Sequence, residues 1–369
     1  MKKRFGALLL IIAIILGCIG TLSSCGEKYK PVKSSKEEKA TAITISYEKE
    51  KYKVPYELYR AFFLQYKSLV DGGDESVWTG ADKEKYEKTL DDMIYKSLSE
   101  IYAVFHLCEK ADINVYSRKF DKEVTASIEA IIDGSSISGG FDGDFDKYLL
   151  SLKEMNHNYS TAEIMIRYQL ARQSLIEYYI GTTDIDISTT DVKDGEIKYT
   201  KNDVRAFYFD ENQSRCIIRI DFPSHLTKEA AEAKRNDIAA TVATPGVTLS
   251  QIEIKIANST TANPESEVMG IYTNDASYYS ELTSVAFSLK VGELSEIFEM
   301  STNDFSGYTA LYRLPTSEEY FAANYENIAV SFVLNEFGKT VAAASDAIAK
   351  VMTPTDVIKE LDRSKVSMN

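Results

Sequence analysis

The sequence predicts an α+β fold in which a mostly helical domain precedes a smaller domain built around an antiparallel sheet. Up to residue 181 the apolar residues recur at helical spacing over long stretches. Beyond that point the chain changes to short alternating segments separated by brief helices. A long helix with one apolar side follows over residues 315–352. Because that side must be buried, we expect this helix to pack on the helical domain and complete it.

The helical domain, residues 43–195, is predicted to contain one strand and four helices. The strand spans residues 43–52, and Pro55 after it suits the first turn of a helix. The second helix covers residues 82–110, and Ser117 is the predicted N-cap of the third. Residues 160–163 have the pattern of a capping box, which predicts the start of the fourth helix.

The sheet domain, residues 200–314, is predicted to contain four strands, two helices and a turn at Gly292. Alternation of apolar and polar residues predicts the strands, whereas helical spacing predicts the helices. The strands are placed at residues 204–209, 215–221, 252–256 and 308–314, and the helices at 227–242 and 281–289. Residues 353–369 are predicted to be a tail.

The N-terminus has the parts of a lipoprotein signal peptide. The positive residues 2–4 precede an apolar run over residues 5–20, which is short for a membrane-spanning helix of about 20 residues. Residues 22–25 read Leu-Ser-Ser-Cys, a lipobox in which small residues admit the peptidase and the thiol carries the diacylglycerol. We therefore expect residues 1–24 to be removed and Cys25 to be lipidated. The alternative is an uncleaved membrane anchor, and in both cases the rest of the chain lies outside the cytoplasm.

A lipid on Cys25 would hold the protein at the cell membrane on its extracytoplasmic side. Two acyl chains anchor stably because each buried CH₂ contributes about 0.8 kcal/mol. Residues 25–42 are polar and charged, and they are predicted to be a flexible tether. In this oxidising location a disulfide between Cys108 and Cys216 is one option, but two buried free thiols are favoured.

The charge of the chain excludes nucleic acid as a partner. The net charge is −14, and removal of residues 1–24 takes away three positive charges and no negative one, which leaves −17. Nucleic-acid binding depends on Lys and Arg side chains that neutralise phosphates. The same negative charge argues against a polybasic grip on anionic lipid, so the lipid itself would be the anchor.

No metal or cofactor site is predicted. Asp142, Asp144 and Asp146 resemble the start of a calcium loop, but an EF-hand needs glycine at its sixth position and glutamate at its twelfth. Lys147 and Lys153 stand there, which favours a solvated loop. The three histidines are scattered and form no metal-binding motif.

Four stretches carry a family pattern. Residues 286–295 read AFSLKVGELS and are followed by Gly307-Tyr308, which is similar to the parvulin pattern A-F-x-L-x-x-G-E-x-S and its later G-Y/F-H-I strand. Residues 215–218 are similar to the parvulin opening strand x-H-I-L. Residues 56–59 and 111–117 are similar to the SurA-type N-terminal domain. From about residue 43 to 350 the chain therefore resembles the extracytoplasmic foldases of the PrsA/SurA type.

This resemblance implies a SurA-like chaperone domain with an inserted parvulin-like (PpiC-type) domain, a fold that catalyses peptidyl-prolyl isomerisation. Several site positions of the pattern are changed, however. Cys216 stands at the first histidine and Thr309 at the second, and Tyr278 and Leu282 replace the usual Met and Phe of the proline pocket. The position that holds Cys or Asp falls near Ser259 or Thr260, where nothing ionises. We therefore expect the scaffold to be retained and catalysis to be lost.

The first helix of the helical domain is rich in aromatic residues that could contact unfolded chains. Such side chains in a shallow groove suit weak, sequence-tolerant binding of apolar segments. The alternative is that they only pack against the C-terminal helix. The candidates are Tyr56, Tyr59, Phe62, Phe63 and Tyr66.

Three functional hypotheses follow. The first is a membrane-tethered chaperone whose partners are unfolded or newly secreted polypeptides. The second is an active peptidyl-prolyl isomerase with unusual site residues. The third is a surface lipoprotein that uses the same scaffold for adhesion or ligand capture. None of them requires a cofactor, and a homodimer is left open.

Overall fold

The structure of the protein is a computed structural model, and it describes residues 28–135, 139–182, 200–259, 268–272, 280–301 and 305–366. These residues form two compact units. The first contains the residues up to Tyr178 and those from Thr340 onward, and the second spans Tyr179–Lys339. Each unit combines helices with one antiparallel sheet, so the predicted α+β fold is confirmed.

Long helices dominate the first part of the chain, and shorter helices and strands follow in the middle. Before residue 200 they are β1 (Thr41–Tyr47), β2 (Glu50–Pro55), α1 (Tyr56–Asp71), α2 (Lys83–Lys110), α3 (Arg118–Asp133), α4 (Phe145–Glu154) and α5 (Tyr159–Thr182). After it they are α6 (Lys201–Phe209), β3 (Ser214–Asp221), α7 (Lys228–Val242), α8 (Leu249–Ser259), β4 (Val268–Tyr272), α9 (Ser280–Ser288), β5 (Phe298–Ser301), β6 (Ser306–Leu314), α10 (Glu318–Ala323), α11 (Tyr325–Ala349), β7 (Met352–Pro354) and α12 (Asp356–Lys359).

The single strand predicted over residues 43–52 is a hairpin. β1 and β2 pair antiparallel from Thr41↔Pro55 to Tyr47↔Glu50. The chain reverses at Glu48, whose φ of 54° lies in the left-handed region. Its carboxylate accepts a hydrogen bond from Lys110 at 2.9 Å, which ties the turn to the end of α2.

Side-chain caps mark the starts of α3 and α5 in the first unit. Ser117 accepts from the backbone N–H of Phe120, as predicted for the N-cap of α3. The predicted capping box at residues 160–163 is displaced, because Asn158 is the capping residue of α5. Asn158 Oδ1 accepts from the Thr161 N–H and Thr161 Oγ1 accepts from the Asn158 N–H, both at 2.8 Å.

The segments predicted as a tether and a tail both make defined contacts in the first unit. Ser34 donates to Glu57 at 2.5 Å, and Arg60 donates to Glu38 at 2.9 Å. At the other end of the chain, β7 pairs with β1. Arg363 then bonds Asp91 on α2 at 2.8 Å. Strand β7, hydrogen bonds and ion pairs therefore fix both segments in the first unit, although their sequences have no periodic apolar pattern.

The second unit is built on a four-stranded antiparallel sheet in the order β4-β3-β6-β5. β3 and β6 are its centre, paired from Cys216↔Leu314 to Asp221↔Thr309. Successive side chains of a strand point to opposite faces. The face of Ile218 packs with residues of α7 and α8, and the face of Ile217 packs with residues of α9.

Two segments predicted as strands in this unit are helices. Residues 204–209 belong to α6, where Thr200 and Asp203 form a capping box and Val204, Phe207 and Tyr208 are buried at helical spacing. Residues 252–256 belong to α8. Ile252 and Ile256 are buried one turn apart. The alternating apolar pattern was misleading because the residue between them, Ile254, is 59% exposed.

The helix predicted over residues 315–352 is interrupted at Asn324, which separates α10 from α11. Phe337 packs on residues 55–180 through Tyr179 of α5, with ring centroids 5.7 Å apart. Phe321 and Phe332 pack on α6, with ring centroids 5.6 Å from Tyr208 and 5.4 Å from Phe207. The reason is that α6 is a helix and presents an aromatic face. Further along α11, Ser345 hydrogen-bonds Ser99 at 2.8 Å within the first unit.

Candidate functional site

The candidate site lies on the α9 face of the sheet, near the end of β3 and the start of β6. Ile217 and Leu311 form the core of this face together with Leu282 and Ala286 of α9. Cross-strand partners project to the same face of a sheet. Thr309 and Asp221 are such partners, and alternation along each strand places them on the face of Ile217 and Leu311.

Thr309 and Asp221 form a closed polar group with Arg219. Thr309 is fully buried, and its hydroxyl donates to Asp221 Oδ1 at 2.7 Å. Arg219 contacts both oxygens of the same carboxylate, Nε to Oδ1 at 2.9 Å and Nη2 to Oδ2 at 2.7 Å. The Arg219 guanidinium also lies 5.7 Å from the centre of the Phe305 ring. The carboxylate is therefore bound by a bidentate arginine and a hydroxyl, a strong and geometrically specific arrangement.

The structure does not bring Cys216 and Thr309 together. Cys216 pairs with Leu314, whereas Thr309 pairs with Asp221 at the other end of the same ladder. Cys216 also faces the core of α7 and α8, on the side of the sheet opposite to Thr309. The residue facing Thr309 is Asp221, which the parvulin-like pattern did not identify as a site residue. Its signal is the alternation of Arg219 and Asp221 with apolar residues at the end of β3.

Neither cysteine has the surroundings of a reactive thiol. Cys108 and Cys216 are both buried and free, which agrees with the favoured expectation. Burial raises the pKa of the Cys216 thiol to about 11 and that of Cys108 to about 12. Since the thiolate is the nucleophile, both groups are inert at neutral pH.

The predicted proline pocket is only partly within the described residues. Leu282 is 2% exposed and belongs to the core beneath α9, so its side chain fills the protein interior and lines no open pocket. Tyr278 lies outside the described residues. Ser259 ends α8, where its hydroxyl donates to the Lys255 carbonyl at 2.9 Å.

Most of the predicted client-binding aromatics on α1 are core residues. Tyr59 and Phe63 are fully buried and Phe62 is 6% exposed. Only Tyr56 and Tyr66 keep part of their surface accessible. Tyr59, Phe62 and Phe63 lie within the buried stripe of α1, so client binding by this helix stays a prediction for the accessible residues.

A buried carboxylate on α1 was not recognised from the sequence. Glu57 is 3% exposed and accepts hydrogen bonds from Ser34, Asn158 and Ser160. The last two lie at the start of α5, where the helix dipole favours a negative charge. Glu57 thus joins three segments of the first unit, and its role is structural.

The described residues contain no group of three or more acidic, histidine or cysteine side chains placed to hold a metal ion. Asp144 belongs to the acidic run that resembles the start of a calcium loop. Its side chain caps α4 by accepting from the Lys147 N–H at 2.9 Å. His106 is buried against Tyr52 and Glu48. Among the described residues, no helix is both long enough and apolar enough to cross a membrane.

The solved structures to which this chain is similar are foldases. Foldase PrsA from Streptococcus pneumoniae matches with 11% identity and a TM-score of 0.31, covering 86% of this chain and 97% of that chain. Foldase PrsA from Lactococcus lactis matches with 14% identity and a TM-score of 0.26, covering 86% and 95%. The peptidylprolyl isomerase PrsA from Bacillus anthracis matches with 14% identity and a TM-score of 0.27, covering 70% and 100%.

All three matched structures carry the name PrsA. No family model matches the chain, and no curated protein matches it. Because the identities and TM-scores are low, the function is inferred from the residues of this chain.

Proposed function

We propose that this protein is a membrane-tethered extracytoplasmic chaperone that binds unfolded or newly secreted polypeptides, and that its parvulin-like unit does not catalyse prolyl isomerisation. The foldase patterns at residues 56–59, 111–117 and 286–295 support the chaperone role. The observation that carries the loss of catalysis is the hydrogen bond from Thr309 to Asp221, at the position where the parvulin pattern has a histidine.

Isomerisation requires a site that binds the twisted amide more tightly than the planar one, against a barrier of about 18–20 kcal/mol. A hydrogen-bond donor aimed at the twisted amide is one way in which side chains of a site can supply this preference. The single proton of the Thr309 hydroxyl is already donated to Asp221, and the Arg219 fork is engaged by the same carboxylate. The Thr309 hydroxyl, which stands at the histidine position of the pattern, therefore has no proton left to donate to a substrate.

Client contact is proposed on the accessible part of α1. Tyr66 stacks on Phe62 with ring centroids 6.0 Å apart and keeps part of its surface exposed. Leu69, one turn further, is 52% exposed. Residues three apart lie on the same side of a helix. An aromatic ring beside an exposed Leu offers a small apolar surface to which an unfolded segment can bind without sequence specificity.

The experiment is a paired assay on the purified protein. Catalysis is measured as faster relaxation of an X-Pro peptide, against an uncatalysed time of tens to hundreds of seconds. Chaperoning is measured as slower aggregation of an unfolded client. We expect background isomerisation and clear protection, with protection reduced in Tyr66→Ala/Leu69→Ala and unchanged in Thr309→Val.

Each alternative predicts a different outcome of that assay. Isomerase activity that is lost in Thr309→Val would overturn the proposal and favour an active enzyme. The absence of both activities would favour adhesion or ligand capture. A matched control is Leu150→Ala, because Leu150 is 58% exposed on α4 in the same unit and is not part of the α1 surface.

Membrane tethering through Cys25 is part of the proposal and rests on the lipobox at residues 22–25. Cys25 lies outside the described residues. The described chain begins at Lys28, three residues later, and Lys28 and Tyr29 bond Asp133 of α3. If Cys25 carries the lipid, the helical unit is held within a few residues of the membrane surface.

A further inference from the structure

The second unit contains a pair of buried arginines that the proposed function does not use. Arg215 is 9% exposed and Arg313 is 7% exposed. The cross-strand partner of Arg313 is Ile217, so Arg215, two residues before it, lies diagonally opposite on the same face. The pair stands at the opposite end of this face from Thr309 and Asp221, with the Ile217–Leu311 core between them.

The two arginines are unequally compensated. Arg313 donates to the Leu289 carbonyl at 2.5 Å, just beyond the C-terminus of α9, and lies 3.2 Å from a carboxylate oxygen of Glu211. Arg215 donates only to the carbonyl of the preceding residue, Ser214, at 3.0 Å, and its guanidinium lies 4.5 Å from the centre of the Phe287 ring. Among the residues that the structure describes, no carboxylate forms an ion pair with Arg215.

This arrangement is electrostatically costly without a further anion. Burial lowers the pKa of Arg215, and the neighbouring charge of Arg313 acts in the same direction. The charges of Glu211 and Asp210 raise the pKa of Arg215 in partial compensation, but the Glu211 side chain is 67% exposed and bonds Arg313. The Nε atoms of both arginines are buried without a hydrogen-bond partner in the described structure. A buried cation is normally paired, because an unpaired one loses its hydration without replacement.

We propose that Arg215 and Arg313 form a carboxylate-binding site for the polypeptide client, which takes either its C-terminal carboxylate or an acidic side chain. The proposal rests on the chaperone function proposed above. A carboxylate matches the planar fork of arginine in charge and geometry. It would displace the exposed Glu211 from Arg313 and supply the counter-charge that Arg215 lacks, while Phe287 offers an apolar surface to the adjoining part of the client.

The test uses the purified full chain and a labelled, N-acetylated apolar peptide in three forms, with binding followed by fluorescence anisotropy. One form has a free C-terminal carboxylate, the second is the C-terminal amide, and the third is the amide with an internal Glu. We expect at least one acidic form to bind about tenfold or more tightly than the neutral amide. Which acidic form binds identifies the source of the carboxylate.

The variants assign the effect to the pair. Arg215→Met should abolish the preference for acidic peptides, and Glu211→Gln should strengthen it because a competing carboxylate is removed. Arg205→Met is the matched control, since Arg205 is half exposed on α6 in the same unit and pairs with Glu318. Thermal unfolding checks the fold of each variant, and we expect Arg215→Met to be as stable as the parent or more stable.

Equal binding of the neutral and acidic peptides overturns the carboxylate site, and so does an unchanged preference in folded Arg215→Met. If Arg215→Met does not fold, a Glu211→Gln variant without strengthened binding overturns it alone. Failure of the chaperone proposal is seen separately, as loss of client protection in the unmodified protein. Retained protection together with absent acid preference would refute only the arginine site.

Discussion

The substitution Thr309→Val isolates the polar contact that distinguishes this sheet face from a parvulin site. Valine keeps the shape and the β-branched character of threonine and removes only the hydroxyl. Thr309 is fully buried, and that hydroxyl donates to Asp221 at 2.7 Å. The change therefore removes one charge-assisted hydrogen bond and leaves the surrounding core intact.

The expected loss of stability depends on the contacts that Asp221 retains in the variant. A hydrogen bond to a charged group contributes about 1.5–3 kcal/mol. Asp221 retains both contacts with Arg219, and its side chain is 30% exposed, so water can replace part of the lost bond. We expect the free energy of unfolding to fall by about 1–2 kcal/mol, the lower part of that range.

The measurement is urea-induced unfolding followed by far-ultraviolet circular dichroism. Thr241→Val is the control, since the Thr241 hydroxyl lies on the exposed side of α7 and bonds only a backbone carbonyl. It should change the free energy of unfolding by less than about 0.5 kcal/mol. The reasoning is refuted if Thr309→Val costs no more than this control. The reasoning is also refuted if Thr309→Val lowers the free energy of unfolding by the same amount in a protein that already carries Asp221→Ala. Equal losses in the two backgrounds would mean that the two side chains are not coupled.

Three further predictions concern other parts of the chain. Cys25→Ala should abolish lipid labelling and membrane fractionation, and normal labelling of that variant would refute the lipobox assignment. Burial lowers the pKa of His157 from 6.5 to about 4, so between these pH values the unfolded state binds a proton that the native state excludes. The free energy of unfolding should therefore fall by up to about 3 kcal/mol as the pH drops from 6.5 to about 4. His157→Asn should flatten this pH dependence. Cys108 and Cys216 should resist alkylation near neutral pH in the native protein and react in denaturant, and rapid native labelling would contradict their buried position.

The sequence allowed the start or end of some helices to be predicted, because these depend on neighbouring residues. Ser117 caps α3 through a residue only three positions away, and Gly72 ends α1 in the left-handed conformation. The errors have a common cause. An alternating run such as residues 252–256 fits a strand and also one buried turn of a helix, and only packing of α8 in the core of the second unit selects the helix.

The candidate site could be predicted only in part, because its geometry depends on the pairing of strands far apart in the chain. The resemblance of residues 286–295 to the parvulin pattern, and the prediction that Thr309 stands at its histidine position, need only the sequence. The partner of Thr309 does not follow from the sequence alone. The register of β3 against β6 places Asp221 beside it and Cys216 on the other face, and a shift of one residue would have exchanged those faces.

The sequence by itself determined the acidic charge, the lipoprotein-type N-terminus, the α+β class and the foldase resemblance, since each depends on composition or on residues close together in the chain. Only the tertiary structure decided which polar groups meet and which aromatics are buried. Tyr59 and Tyr66 occupy the same helix and read alike in the sequence, yet one is fully buried and the other is partly accessible. Burial is a property of the neighbours that pack around a side chain, and those neighbours are supplied by distant segments such as α2 and the segment around Arg363 near the C-terminus.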